Sequence, residues 1–183
     1  MRKIVVAPDS FKDSLSAPQV AAAIEAGIRL TLPQAQVIKV PVADGGEGTM
    51  ETLVEALGGE YVNCLVNDPL MRQIPAAYGI VHTHGEPTAI IDLASASGLT
   101  LLSQEERNPL VTTTYGTGQL IADACNRGCR HVVMGIGGSA TNDAGKGMLE
   151  ALGCRFLDAA GAELKPGGKS PVSYTHLRAH ETL

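Results

Sequence analysis

The sequence contains no tryptophan and few aromatic residues of any kind. Aromatic side chains make up 3% of the 183 residues, whereas hydrophobic residues make up 44%. The core must therefore be built from Val, Ile, Leu and Ala, a composition that suits strands packed between helices. A chain of this length can form one large core or two small α/β units, and the composition is compatible with both.

Basic clusters and long apolar segments are absent as well. The formal net charge is -5, and no group of Lys and Arg residues forms a basic stripe, which argues against a nucleic-acid partner. The apolar run after Lys3 covers only residues 4–7, too short for a signal peptide, and no segment has the length of a membrane span. We therefore expect a cytoplasmic protein without a membrane partner.

The four cysteines do not form a recognisable metal or disulfide pattern. Their closest pair, Cys125 and Cys129, has no histidine or second cysteine pair at ligand spacing. Reduced cysteines that pack inside the protein are therefore the expected state.

Small and polar residues are concentrated in residues 135–143, Gly-Ile-Gly-Gly-Ser-Ala-Thr-Asn-Asp. The preceding apolar run predicts a buried strand, and Met148, Leu149 and Leu152 follow at the spacing of a helix. Unpaired N–H groups at a helix N-terminus bind anions, and glycines let a phosphate approach the backbone closely. We therefore predict a phosphate site, in which Asp143 binds Mg²⁺ or a substrate hydroxyl. The residues predicted to contact phosphate are Gly137, Gly138, Ser139, Ala140, Thr141 and Asn142.

Two other interpretations of residues 135–143 remain open. The spacing of Gly135, Gly137 and Ala140, with Asp158 further along, fits a loose dinucleotide fingerprint and would indicate an NAD(P)-binding oxidoreductase. Alternatively, the segment is a glycine turn whose hydroxyls only cap the helix. A phosphoryl-transfer site can use all of the polar residues present, which the nicotinamide site does not need.

The N-terminal part of the chain predicts a strand, a polar loop and a helix. The apolar strand of residues 3–7 is followed by Asp9, Ser10 and Lys12, and Ser16 and Pro18 then give a helix start. Ligands bind beyond the carboxyl ends of strands in such units. Lys12 can neutralise a phosphate or carboxylate, and Asp9 can hold a metal or orient Lys12. The alternative is that Asp9 caps a turn and that Lys12 is solvated.

A second unit of the same kind follows. The strand of residues 36–42 leads into Asp44, two glycines, Glu47 and Gly48, and a helix predicted to end near Gly58. Glycines interleaved with carboxylates allow a loop to fold tightly against a ligand. We favour a functional role for Asp44 at the strand tip, whereas Glu47 is equally compatible with an ordinary first-turn acid.

The pattern changes near residue 60, where three apolar runs follow one another without room for helices. This change predicts a strand meander and a domain boundary. Further on, the threonine run of residues 112–114 precedes a helix. These threonines either pack and cap the helix or supply hydroxyls to a second phosphate or a sugar.

Four segments, in this order along the chain, resemble the bacterial glycerate kinases: residues 7–12, 41–49, 112–118 and 135–143. The resemblance implies two α/β domains, one made of Rossmann- or flavodoxin-like β-α units and the other a mixed-sheet domain inserted into it, with a cleft between them. It also implies transfer of the γ-phosphate of ATP, with Mg²⁺, to a hydroxyl of D-glycerate, commonly giving 2-phosphoglycerate.

The resemblance also implies roles for individual residues. Asp143, Asp44, Lys12 and Asp9 are the expected catalytic residues, and the first two are the expected metal ligands. Ser10 and Glu47 are expected to bind the substrate. Thr117 joins residues 137–142 as a predicted nucleotide contact.

The chain departs from the family pattern within the glycine-rich segment. Ala144 stands where many members have glycine, and Lys146 occupies a position that is usually small. Because Ala144 falls inside the predicted helix, where alanine is favourable, we expect no loss of activity from it.

Family members are longer than this chain, and the resemblance ends near residue 170. We expect residues 1–60 to form the N-terminal part of the Rossmann-like domain and residues 61–170 part of the second domain. Residues 171–183 look like translated read-through of a sequencing adapter. A non-catalytic truncated product is therefore the alternative to an active kinase, and the oligomeric state is left open.

Overall fold

The computed structural model describes residues 2–11, 14–169 and 176–178. Lys12 and most of residues 171–183 therefore lie outside the described residues, so the predictions made for them stay predictions. The strands are β1 Lys3–Val6, β2 Gln36–Lys39, β3 Glu60–Asn67, β4 Gln73–Thr83, β5 Glu86–Asp92, β6 His131–Gly135, β7 Arg155–Leu157 and β8 His176–Arg178. The helices are α1 Ala17–Thr31, α2 Thr49–Leu57, α3 Ala94–Ser97, α4 Tyr115–Asn126 and α5 Lys146–Ala151, with 3₁₀ turns at Leu99–Leu101 and Gln104–Glu106.

The first unit pairs β1 with β2 in parallel, and α1 makes the crossover between them. The helix begins where the sequence predicts, because Ser16 is its N-cap, the Gln19 side chain accepts the Ser16 N–H at 3.0 Å, and Pro18 lies in the first turn. Two parallel strands and one helix bury little apolar surface. Val5 remains 61% exposed and Leu30 87% exposed.

The central sheet has the strand order β3-β4-β5-β6. Strands β3, β4 and β5 form the predicted antiparallel meander, and β6 adds to β5 in parallel. Because side chains alternate between the two faces of a strand, Tyr78 and Ile91 pack with Leu120 of α4, whereas Val81 and Ile90 pack with α2 on the opposite face. The predicted mixed α/β architecture is confirmed.

Helix α2 packs on the sheet that follows it rather than on the strands that precede it. Met50 and Val54 contact Val81 and Ile90 in one buried cluster. A boundary at residue 60 would separate this helix from the sheet on which it lies. We therefore infer that the change between units falls in the loop of residues 44–48, while the domain limits themselves remain a prediction.

The helix predicted after residues 135–143 begins later than expected. It starts at Lys146, and Ala144 has a φ of 55°, in the left-handed region. The expectation of right-handed helix at Ala144 is therefore wrong. Lys146 is buried, pairs with Glu150, and lies with its ammonium group 5.7 Å from the ring centre of Phe156. None of the helices in the described part of the chain is both long and apolar enough to cross a membrane.

Candidate active site

The loops that follow β1, β2 and β6 line one cleft with a volume of about 810 Å³. This is the edge of an α/β fold where ligands bind, because it lies beyond the carboxyl ends of parallel strands. Five of the residues singled out in the sequence meet there. They are Ser10, Asp44, Glu47, Gly137 and Gly138.

The loop of residues 44–48, hereafter the acidic loop, gives the cleft its charge. Asp44 and Glu47 are exposed in the cleft, and Glu51 from the first turn of α2 lies beside them. Asp44 Oδ1 accepts the Gly46 N–H at 2.9 Å. The charged residues found among the described lining residues are all carboxylates, so this wall of the cleft favours a cation or a hydrogen-bond donor.

The glycines at the end of β6 and just beyond it are required because the acidic loop lies directly against them. The Gly137 N–H donates to the Gly45 carbonyl at 2.9 Å, and a Cβ on Gly137 would lie 2.6 Å from Gly46 Cα. A Cβ on Gly135 would lie 2.9 Å from the Gly45 carbonyl oxygen. These glycines therefore make room for another loop, and their predicted contact with a phosphate stays a prediction. Gly137 and Gly138 still reach the cleft wall.

Ser139, Ala140, Thr141 and Asn142 are not among the described residues that line the cleft. The Ala140 N–H donates to the Ser97 carbonyl at 2.8 Å, and the Thr141 N–H donates to Ser139 Oγ at 3.1 Å. These two amides are thus satisfied within the protein. The phosphate-binding role predicted for this part of the segment has no geometric support here.

Asp143 is 1% exposed, and both of its carboxylate oxygens accept hydrogen bonds from the protein. Its donors are the backbone N–H groups of Thr114, Gly145 and Gly147, at 2.8, 3.2 and 3.1 Å, and the hydroxyls of Thr113 and Thr114, at 3.1 and 3.0 Å. The predicted anion site at the start of α5 is therefore filled by the carboxylate of Asp143 itself. In this structure the carboxylate fixes two loops and faces its own donors, and its catalytic and metal-binding role stays a prediction.

The threonines are structural in the same way. Thr112 Oγ1 donates to the Ala140 carbonyl at 2.8 Å, and buried Thr117 shares a hydrogen bond of 2.7 Å with Ser97. These contacts favour the packing interpretation of the run, and the nucleotide contact of Thr117 stays a prediction. Asp9 is exposed and accepts the N–H of the next residue, Ser10, at 2.6 Å, and its predicted catalytic role stays a prediction.

Asp92 was missed in the sequence, although it ends an apolar strand and Asp9 and Asp44 likewise lie beyond the ends of apolar strands. It is 5% exposed and lies beneath the acidic loop, where its carboxylate accepts N–H groups from Gly48 and Met50. Burial raises the pKa of the Asp92 carboxyl, and these backbone hydrogen bonds oppose that rise.

The geometry does not form a dinucleotide site. Helix α5 begins only at Lys146, so the glycines at 135 and 137 do not lead directly into a helix as the fingerprint requires. Asp158, the candidate ribose-binding acid, caps its own turn by accepting the N–H groups of Ala160 and Ala162, both at 2.9 Å.

The model of the glycerate kinase family matches residues 4–182. The chain is 51% identical over 166 residues to a glycerate kinase of Bacillus subtilis (strain 168), and 51% identical over 168 residues to a glycerate 2-kinase of Escherichia coli (strain K12). A crystal structure of a Salmonella typhimurium LT2 protein assigned as a glycerate kinase 2 is 47% identical, with a TM-score of 0.83.

These matches cover most of this chain but less than half of each relative. They include 91% and 92% of the chain and 43% and 44% of the two relatives, and 96% of the chain and 46% of the solved structure. The chain belongs to the glycerate kinase family.

Proposed function

We propose that this chain supplies the acidic wall of an active site that transfers the γ-phosphate of ATP to a hydroxyl of D-glycerate. The observation that carries the proposal is the cleft beyond the parallel strands, lined by Asp44 and Glu47, in a chain of the glycerate kinase family. One relative is named a glycerate 2-kinase, so 2-phosphoglycerate is the proposed product. The proposed partners are small molecules. The proposed location is the cytoplasm, where ATP is available.

The acidic loop fits Mg²⁺ in its donor chemistry. Carboxylate oxygens are preferred ligands, and a nucleotide-bound Mg²⁺ usually takes only one or two of them, because phosphate oxygens and waters complete its coordination. No group of three or more His, Cys, Asp or Glu residues suited to a metal occurs within the described residues. Asp44 and Glu47 would hold the ion together with the nucleotide, and it would neutralise charge on the transferred phosphoryl group.

The remaining chemistry is positioning and proton transfer. Asp44 or Glu47 can accept the proton of the attacking hydroxyl, because both carboxylates are exposed in the cleft. Ser10 and the backbone at Gly137 and Gly138 face the same space. Lys12 is proposed to pair with an anionic group of a substrate. Fixing the two substrates in line supplies most of the acceleration in such a site.

The rim of the cleft is apolar. A group of exposed large hydrophobic side chains in one place often marks a ligand-binding site. Four such side chains line this cleft. They are Phe11, Leu15, Leu99 and Ile136. We propose that the adenine base lies against this rim, which leaves the phosphates directed toward the acidic loop.

The proposal is tested by measuring ADP formation that depends on D-glycerate and Mg²⁺. In an active chain, Asp44→Asn or Glu47→Gln lowers kcat by at least about 100-fold when the altered group is the base or the metal ligand. Glu55→Gln is the matched control, because Glu55 is an exposed carboxylate on α2, the helix that follows the acidic loop, and is not a described lining residue.

A full-length family member serves as the positive control. If both acidic-loop variants retain wild-type turnover, the proposed site is wrong. If the 183-residue chain shows no glycerate-dependent turnover while the full-length enzyme does, the alternative of a non-catalytic product is supported.

A further inference from the structure

Asp92 lies at the end of β5, directly beneath the acidic loop. Its Oδ2 accepts the Gly48 N–H and its Oδ1 accepts the Met50 N–H, both at 3.0 Å. These donors are 44 and 42 residues away in sequence. The carboxylate therefore joins the sheet to the start of α2.

Helix α2 depends on this carboxylate because it has no side-chain cap of its own. Its N-cap is Gly48, in the left-handed conformation, and glycine has no side chain that could cap the helix. A carboxylate at a helix N-terminus satisfies the free N–H groups and interacts favourably with the helix dipole. Charge-assisted bonds of this kind are stronger than neutral ones.

A second tie holds the other end of the acidic loop. The Gly45 carbonyl accepts the Gly137 N–H at 2.9 Å, so the loop is fixed to β5 through Gly48 and to the end of β6 through Gly45. Glu47 lies between these two ties, and Asp44 directly precedes them. The positions of the carboxylates in the cleft therefore depend on the hydrogen bonds that Gly45 and Gly48 make beneath it.

We propose that Asp92 is the positioning residue of the site: its carboxylate sets the acidic loop so that Asp44 and Glu47 can bind a divalent cation and the substrate hydroxyl. The inference rests on the proposed function. It assigns Asp92 no contact with substrate.

The first test is amide hydrogen exchange in the 183-residue chain. Replacing the carboxylate by an amide in Asp92→Asn leaves one N–H facing an NH₂ group, so exchange at Gly48 and Met50 should rise about 10- to 100-fold. Asp68→Asn is the matched control: Asp68 is also buried and accepts the N–H groups of Leu70 and Arg72, at 2.8 and 2.9 Å, but it is not a described cleft residue.

The second test uses Mn²⁺ alone as a probe, because it accepts the same oxygen ligands as Mg²⁺. Paramagnetic broadening of the acidic-loop amides should require about tenfold more Mn²⁺ in Asp92→Asn than in wild type, and no more in Asp68→Asn. In the active enzyme, the Mg²⁺ concentration for half-maximal turnover should rise similarly. At temperatures below the unfolding transition, a loss of stability alone would not change this Mg²⁺ concentration.

The outcomes separate the inference from the proposed function. Unchanged exchange at Gly48 and Met50 overturns the role of Asp92, and raised exchange with unchanged Mn²⁺ broadening reduces it to a helix cap. Absence of turnover in wild type counts against the proposed function. Hydrogen exchange and Mn²⁺ broadening test the role of Asp92 independently of turnover. If Asp92→Asn does not fold, Asp92→Ser, which can accept one N–H, replaces it. Wild-type exchange at Gly48 as fast as in an unprotected peptide also overturns the inference.

Discussion

Ala144 has a backbone conformation that residues with a side chain rarely adopt. Its φ of 55° places it in the left-handed region, just before the left-handed N-cap Gly145 of α5. The strain is held by Asp143, whose carboxylate accepts the N–H groups of Gly145 and Gly147. The turn around the buried Asp143 carboxylate therefore holds Ala144 in a backbone conformation of raised energy.

We predict that Ala144→Gly stabilises the protein. Relief of the left-handed alanine is worth about 1–2 kcal/mol, and the greater freedom of glycine in the unfolded chain offsets about 0.4–1 kcal/mol of it. The net gain in the free energy of unfolding should be about 0.5–1 kcal/mol, measured by urea denaturation. Ala22→Gly, at an exposed position in α1, is the control and should destabilise by about 1 kcal/mol. A loss of stability in Ala144→Gly would show that the turn is not strained.

Helix α4 and strand β4 are joined by a polar contact within an apolar interface. Buried Tyr78 donates its hydroxyl to Asp123 Oδ2 at 2.8 Å, and Asp123 also accepts Arg127 Nε at 2.9 Å. Burial, followed by the hydrogen bond to Asp123, raises the pKa of Tyr78. Because the folded pKa exceeds the unfolded one, this stabilisation is complete below the unfolded value of about 10 and is lost as pH rises through the folded pKa.

We predict that Tyr78→Phe lowers the free energy of unfolding at pH 7 by about 1–2 kcal/mol, through loss of a hydrogen bond to a charged acceptor. Above pH 10 the wild type should lose stability more steeply than Tyr78→Phe, which has no hydroxyl to ionise. Chemical denaturation at pH 7, 9, 10 and 11 measures both effects. Tyr61→Phe, at an exposed tyrosine of β3, is the control at pH 7 and should change the free energy of unfolding there by less than about 0.5 kcal/mol. Parallel pH curves for wild type and Tyr78→Phe would refute the assignment.

For the molecule as a whole, the cleft forms where parallel strands end, and local sequence was sufficient to predict part of it. Ser10 and Asp44 were found because each follows an apolar strand, and the rule that ligands bind at such ends needs no knowledge of packing. The meander β3-β4-β5 was equally predictable from its alternation and short connections.

The remainder depended on contacts between distant segments. Asp143 was interpreted as a metal or catalytic residue, yet its threonine donors lie 29 and 30 residues away and bury it. Asp92 was overlooked for the same reason, since its donors belong to the loop after β2. A carboxylate in a polar, glycine-rich segment has the same local sequence whether it binds a ligand or a neighbouring loop, and only the tertiary fold distinguishes the two.

The direct measurement of ligand binding at the cleft is a ¹H–¹⁵N NMR titration of the chain with D-glycerate and then Mg·ATP. We predict that the amides of Gly45, Gly46, Gly48, Gly137 and Gly138 shift, because they lie in the acidic loop and in the cleft wall. The amides of Gly145 and Gly147, bonded to Asp143, should remain in place. Saturable shifts centred on Gly145 and Gly147, with the acidic loop unaffected, would contradict the assignment of the site.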